Sequence, residues 1–247
     1  MTIKKPWADG PWELIRTPSK TMDVKEHPAI YIANEMAFTH NSILRGLDSI
    51  YLQTPNVHEP RDISDFLFFV WATWVSHHHV LEEQVMFPGF EKAIGKPGFM
   101  EENVNQHHAF EPALKKVLAY GSDTKPADYN ASTLRGIIEE MAPGLREHLS
   151  DEIQSLLSMR PYDGEALMRV YKECVAQAGK QDKNVVPPMV LGLRDVTFEG
   201  GNNWPAMPRL AEWFVHYLLA RKYAGSWRFL PCDAWGRPRP LAFAGKE

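Results

Sequence analysis

Between residues 28 and 158, apolar side chains return every three or four positions in four successive blocks. That spacing lines one face of an α-helix. The first block, over about 28–53, carries Ala33, Met36, His40, Ile43, Leu44, Leu47 and Tyr51, and Thr54-Pro55-Asn56 closes it. The second, over about 62–87, carries Ile63, Leu67, Val70, Trp71, Trp74, His78, Glu82 and Val85, with Asp62 or Ser64 as its cap. Most of its other positions are apolar too, which predicts burial on more than one side. Pro88-Gly89 then predicts a break or kink followed by a further turn of helix. The third block, over about 98–120, places Met100, Val104, His107, Glu111, Leu114 and Leu118 on one face, before a loop through Gly121 and Pro126. The fourth, over about 131–158, carries Leu134, Ile137, Met141, Leu145, His148, Glu152 and Leu156. Ser132 is its cap, and Pro143-Gly144 predicts a kink one turn before His148.

Short loops between long helices make sequential neighbours antiparallel. The predicted fold is therefore all-α, an up-down-up-down four-helix bundle with additional C-terminal helices and an irregular tail. Three parts are expected: an extended arm over 1–26, the bundle over 27–160, and an extension over 161–247 packed on the bundle. Within the extension, helices are expected over about 163–179 and 207–224. Between them lies a Pro- and Gly-rich stretch with a strand-like VTFEG at 196–200. Trp204, Trp213, Trp227 and Trp235 point to wrapping against the bundle, not to a free linker.

Composition narrows the function classes. Formal net charge is −4 with both signs scattered, so neither a nucleic-acid groove nor a polybasic membrane patch is expected. The most apolar run, FLFFVWATWV at 66–75, is far short of a membrane span. The N-terminus has a short basic start, Lys4-Lys5, but no signal-peptide core. Only Cys174 and Cys232 are present, so no disulfide framework is needed, although one bridge between them stays open. A cytoplasmic location is expected.

The chemistry lies in the polar residues inside the stripes. His40, the pair His78 and Glu82, His107, and the pair His148 and Glu152 each interrupt an apolar face. Residues four apart stand one above the other on a helix. Each His-x-x-x-Glu pair therefore presents a nitrogen and a carboxylate to one point. A lone core histidine is more often hydrogen-bonded packing than a ligand. Four imidazoles and two carboxylates converging on one axis need a positive partner, since a buried carboxylate without one is costly. A metal pair supplies it, and mixed nitrogen and oxygen donors without thiolate suit iron, manganese or zinc. In HHHVLEE, His79–Glu83 has the same spacing as His78–Glu82, and His108 stands beside His107. The stripes favour His78, Glu82 and His107.

HHHVLEEQVMFP at 77–88 resembles the H-x-x-x-E-E-x-x-L-F-P string of the hemerythrin-like, or HHE cation-binding, family. EHLSDEI at 147–153 is similar to the family's last-helix H-x-x-x-E, and AFTHN (37–41) and NQHHAF (105–110) complete the order of the four helices. Long C-terminal tails occur in its fungal members. The resemblance implies two iron ions held by His40, His78, Glu82, His107, His148 and Glu152, with the glutamates bridging and a position left for dioxygen or peroxide. It implies oxygen or iron binding, storage or sensing, with a di-iron oxidase, oxygenase or peroxidase acting on a small organic substrate or peroxide as the alternative. One departure stands out. Where hemerythrins carry a second histidine four residues earlier on the third helix, this chain has Asn103. Asn103, Glu102 or water is left to fill the place, and a more open site favours substrate chemistry. The oligomeric state is left open.

Overall fold

The computed structural model describes residues 7–72 and 75–245; Trp74 of the second stripe and the basic residues Lys4 and Lys5 lie outside them. The helices are α1 (Pro28–Gln53), α2 (Pro60–Trp71), α3 (Val75–Leu81), a π-helical turn (Glu82–Met86), α4 (Phe87–Ile94), α5 (Glu101–Asp123), α6 (Ala131–Leu157), α7 (Gly164–Ala178), α8 (Val186–Leu193) and α9 (Arg209–Tyr217). Among the described residues no strand forms, and extended pairing is limited to a bridge between Cys232 and Pro238. The fold is all-α, a helical bundle with extra C-terminal helices.

α1 packs on α6, α6 on α5, and α5 on α2 and α3. Side-chain pairs fix the directions. His40 and Tyr51 of α1 meet Leu149 and Glu139 of α6, and His107 and Lys116 of α5 meet His148 and Glu140 of α6. Both pairs of helices thus run antiparallel. The starts follow elementary capping, though not at the expected residues. The side chains of His27, Asn130 and Asp163 accept backbone N–H bonds at the starts of α1, α6 and α7, and α2 opens on Pro60.

The predicted second helix is divided into α2, α3, the π turn and α4. Trp71 was expected in the core but is 47% exposed. A Cβ on Gly121 would lie only 2.6 Å from the Trp71 backbone nitrogen, so α5 meets the end of α2 backbone to backbone and leaves the indole outside. Phe66, Phe69 and Val70 fill the core instead. VTFEG does not form a strand: Glu199, Gly200 and Gly201 take φ of 54°, 95° and 116°, which turns the chain. The Pro-rich stretch before it forms α8, because prolines in the first turn cost no helical bond. α9 ends at Tyr217, earlier than the periodicity suggests.

α1 is buried almost all round, and its polar residues explain why. Asn34, Asn41 and Asp48, seven apart on one face, accept the backbone N–H groups of Ser19, Ile15 and Trp12 at 3.0, 2.7 and 3.1 Å. The N-terminal arm is thereby held antiparallel along the helix. A second row faces the C-terminal extension. Arg45 donates to the Leu193 carbonyl, and Ser49 and Gln53 donate to that of Phe229. α7 lies against α1 on one side and α3, the π turn and α4 on the other. The extension thus becomes part of the wall around the bundle's polar centre.

Candidate metal centre

α1 supplies His40, α3 supplies His78 and His79, and the π turn supplies Glu82 and Glu83. α5 supplies His107, and α6 supplies His148 and Glu152. At 3.6 residues per turn, His78, His79 and Glu82 span an arc of about 100°, so one helix aims three donors at two adjacent points. The π turn follows at once, with the Phe87 N–H bonded to the Glu82 carbonyl five residues back. Pro88, which lacks an N–H, cannot close the regular bond to residue 84, and the wider turn sits where that bond is missing.

Two donor sets result: His40, His78, Glu82 and Glu152, and His79, Glu82, His107 and His148. Within each set the donor atoms lie within 4.8 Å of one another, and Glu82 belongs to both. Glu82 reaches His78 Nε2 with one oxygen at 2.9 Å and His107 Nε2 with the other at 3.5 Å. Glu152 lies 3.3 Å from His40 Nε2 and 3.7 Å from His148 Nε2.

Outer contacts fix the ring tautomers, assigned from the hydrogen-bond network. His40 Nδ1–H donates to the Leu149 carbonyl at 2.7 Å, and His107 Nδ1–H to Glu83 at 2.8 Å. His148 Nδ1–H donates to the Gln106 side-chain oxygen at 3.2 Å, and Gln106 in turn donates to Asp151. The Nε2 lone pairs of all three rings therefore point inward. His107 Nε2 and His148 Nε2 stand 2.9 Å apart, and His40 Nε2 faces a carboxylate oxygen. Lone pairs at such distances repel in a dry site unless a cation stands between them.

The electrostatics agree. Burial holds His78 down to about 4 and His148 to about 2, and pushes His79 and His107 down as well, so these rings are neutral at pH 7. Burial opposes ionisation of Glu152, but the His40 contact and then the surrounding rings of His148 and His78 hold its carboxyl low, at about 2. Burial, and then the Glu152 charge, raises Glu82 well above the usual carboxylate range. A fully buried carboxylate among neutral imidazoles lacks a positive partner. The donors present fit a divalent metal pair.

All six predicted site residues meet at this centre. The sequence treated His78–Glu82 and His79–Glu83 as alternative registers, whereas His78 and His79 each join one of the two donor sets. His79 is buried against His107 and Phe110, with ring centroids 4.3 and 5.1 Å away. Glu83 stands behind His107 instead of joining a donor set. His108 is 63% exposed. Glu102 is exposed and Asn103 is buried, and the further imidazole comes from His79. His77 and His58 are exposed, His27 caps α1, and His216 packs against Tyr217 and Trp235.

Two cavities reach the donors. One, of about 190 Å³, touches His78 and Glu82 and is walled largely by α7, α8 and Trp204. The other, of about 40 Å³, lies between α3 and α5 and touches His79 and His107. A water molecule's share of liquid volume is about 30 Å³, so the second has room for water or a diatomic molecule.

The hemerythrin HHE cation-binding domain family matches residues 32–159, the segment that carries every donor. The chain is also 36% identical to "Dimeric xanthone biosynthesis cluster protein R11" of Cryptosporiopsis sp. (strain 8999), over 99% of this chain and 96% of that protein. No solved structure matches. With its His and Glu donors inside the matched segment and a full-length relative beside it, the chain belongs to the hemerythrin HHE cation-binding family.

Proposed function

We propose that the chain is a non-haem di-iron oxidoreductase that uses dioxygen or peroxide to oxidise a small organic substrate. The metal ligands in this reading are the six residues His40, His78, Glu82, His107, His148 and Glu152, joined by His79. Iron held there would supply a redox-active Lewis acid. The chain's own residues do the rest. Glu82 spans both donor sets, and Glu83 and Gln106 hold His107 and His148 in the tautomer that ligates. Phe110 packs its ring against His79, His107 and His148 on one side of the centre.

One observation favours an enzyme over an oxygen or iron carrier. The larger cavity abuts His78 and Glu82 and is built by the added helices, for which a carrier has no use. The relative's printed name places it in a biosynthetic cluster, a setting that suits chemistry on a small organic molecule. The test is anaerobic loading with Fe(II), exposure to air, and degassing. An oxidase or oxygenase consumes dioxygen irreversibly, and faster once a substrate is present. A carrier returns to its starting spectrum on degassing, and that result would remove the enzyme reading.

A further inference from the structure

The 190 Å³ cavity carries more information than its position. Met36, Leu81, Met86, Val186 and Val190 make most of its wall apolar. Two aromatic walls are braced from behind. Trp204 stacks on Phe38, with ring centroids 6.0 Å apart and planes 20° from parallel, and Tyr171 meets Tyr31 edge-on at 6.1 Å. Rigid aromatic faces beside two methionine sulfurs favour a flat ring as occupant. Size sets a further limit. An apolar cavity of about 150 Å³ admits benzene, so this one, with its open mouth, admits about two fused rings.

Charge sets the last limit. Among the described residues no lysine or arginine lines the cavity, so in the metal-free chain a carboxylate or sulfonate would enter without a partner. Its inner end is the donor cluster, and a cationic ligand would there meet bound metal. The polar handles are few. Thr39 donates its hydroxyl hydrogen to the Glu35 carbonyl and keeps its oxygen free to accept, and Gln181 adds an amide.

We infer that this cavity is the substrate site, and that it takes a neutral aromatic molecule of one or two rings carrying a hydroxyl group. The inference rests on the oxidoreductase reading for its purpose, but its test needs neither metal nor turnover. Binding of 1-naphthol to the full-length, metal-free chain is measured by calorimetry, with 1-naphthalenesulfonate as the charged counterpart. 1-Naphthol is expected to bind at least about ten-fold more tightly than the sulfonate, since the anion lacks a partner. Val190→Trp on α8 and Ala178→Phe on α7 fill the cavity from two sides. Each is expected to lower 1-naphthol affinity at least about ten-fold while iron content per chain stays at the wild-type value. Circular dichroism and the unchanged iron content establish that the variants fold. Equal affinity for the two ligands, or wild-type affinity in both folded variants, overturns the assignment. Loss of the di-iron reading would instead show as a chain that takes up no iron yet binds 1-naphthol as expected.

Discussion

Glu82→Gln should change stability with opposite signs in the two forms of the protein. Glu82 is 1% exposed and lies among neutral imidazoles and a second carboxylate. Without a cation, its burial costs free energy, whether it stays ionised against Glu152 or takes up a proton. Glutamine has the same shape, carries no charge and offers an N–H to His78 or His107. Removing a poorly satisfied buried acid is worth about 1–2 kcal/mol, or roughly 2–8 °C in Tm for a chain of this size. Metal acts the other way. An ion present at about 100 times its Kd adds about 2.7 kcal/mol to the wild type, or roughly 5–11 °C. The variant, lacking the carboxylate shared by both donor sets, should gain little or none of this. The assay is a pair of thermal melts per protein, metal-free and with Fe(II) under anaerobic conditions. A variant that melts lower than wild type without metal, yet keeps the full metal-induced shift, would refute the reasoning and leave Glu82 a structural hydrogen-bonding residue.

Three further outcomes follow from the same geometry. Glu83→Ala removes the acceptor behind His107 but no donor; since Glu83 is one-third exposed, metal affinity should fall about ten-fold, the lower end of such effects, with little change in the metal-free melt. His79→Phe keeps the ring packing and removes one nitrogen of the second set, so iron bound per chain should fall from two towards one. Burial pushes the Asp48 carboxyl up to about 8; the Trp12 N–H and Arg45 oppose this and Asp9 adds to it. The folded chain therefore holds a proton that the unfolded chain releases near its ordinary value of about 4, so this group's contribution to stability falls as pH rises from about 4 to 8 and then levels. Asp48→Asn should flatten that slope, which melts at pH 5 and pH 8.5 would reveal.

The four stripes and six of the donors were legible because helical periodicity is local: a His or Glu inside an apolar face is visible within a dozen residues. His79 was not, because a single i, i+4 register leaves room for one pair per helix, whereas the two donor sets side by side draw on a wider arc. Three consecutive histidines followed by two glutamates held that signal. The polar rows of α1 were missed for a different reason. Asn34, Asn41 and Asp48 look like a solvated face until the N-terminal arm is laid against them, and Ser49 and Gln53 meet a carbonyl some 180 and 176 residues away. Trp71 reads as core from its spacing and is turned out by Gly121, on a helix the spacing does not see. The substrate-sized cavity arises only where α7 and α8 meet α1 and α3, so no local pattern foretells it.

The central claim is a metal pair, and metal content per chain tests it most directly. Protein purified without added metal, or loaded with Fe(II) under anaerobic conditions and then freed of excess, should hold two irons per chain and absorb in the near ultraviolet after exposure to air. A chain that retains no metal and takes up no Fe(II) would contradict the account and leave inward-facing lone pairs, 2.9 Å apart at His107 and His148, with nothing between them.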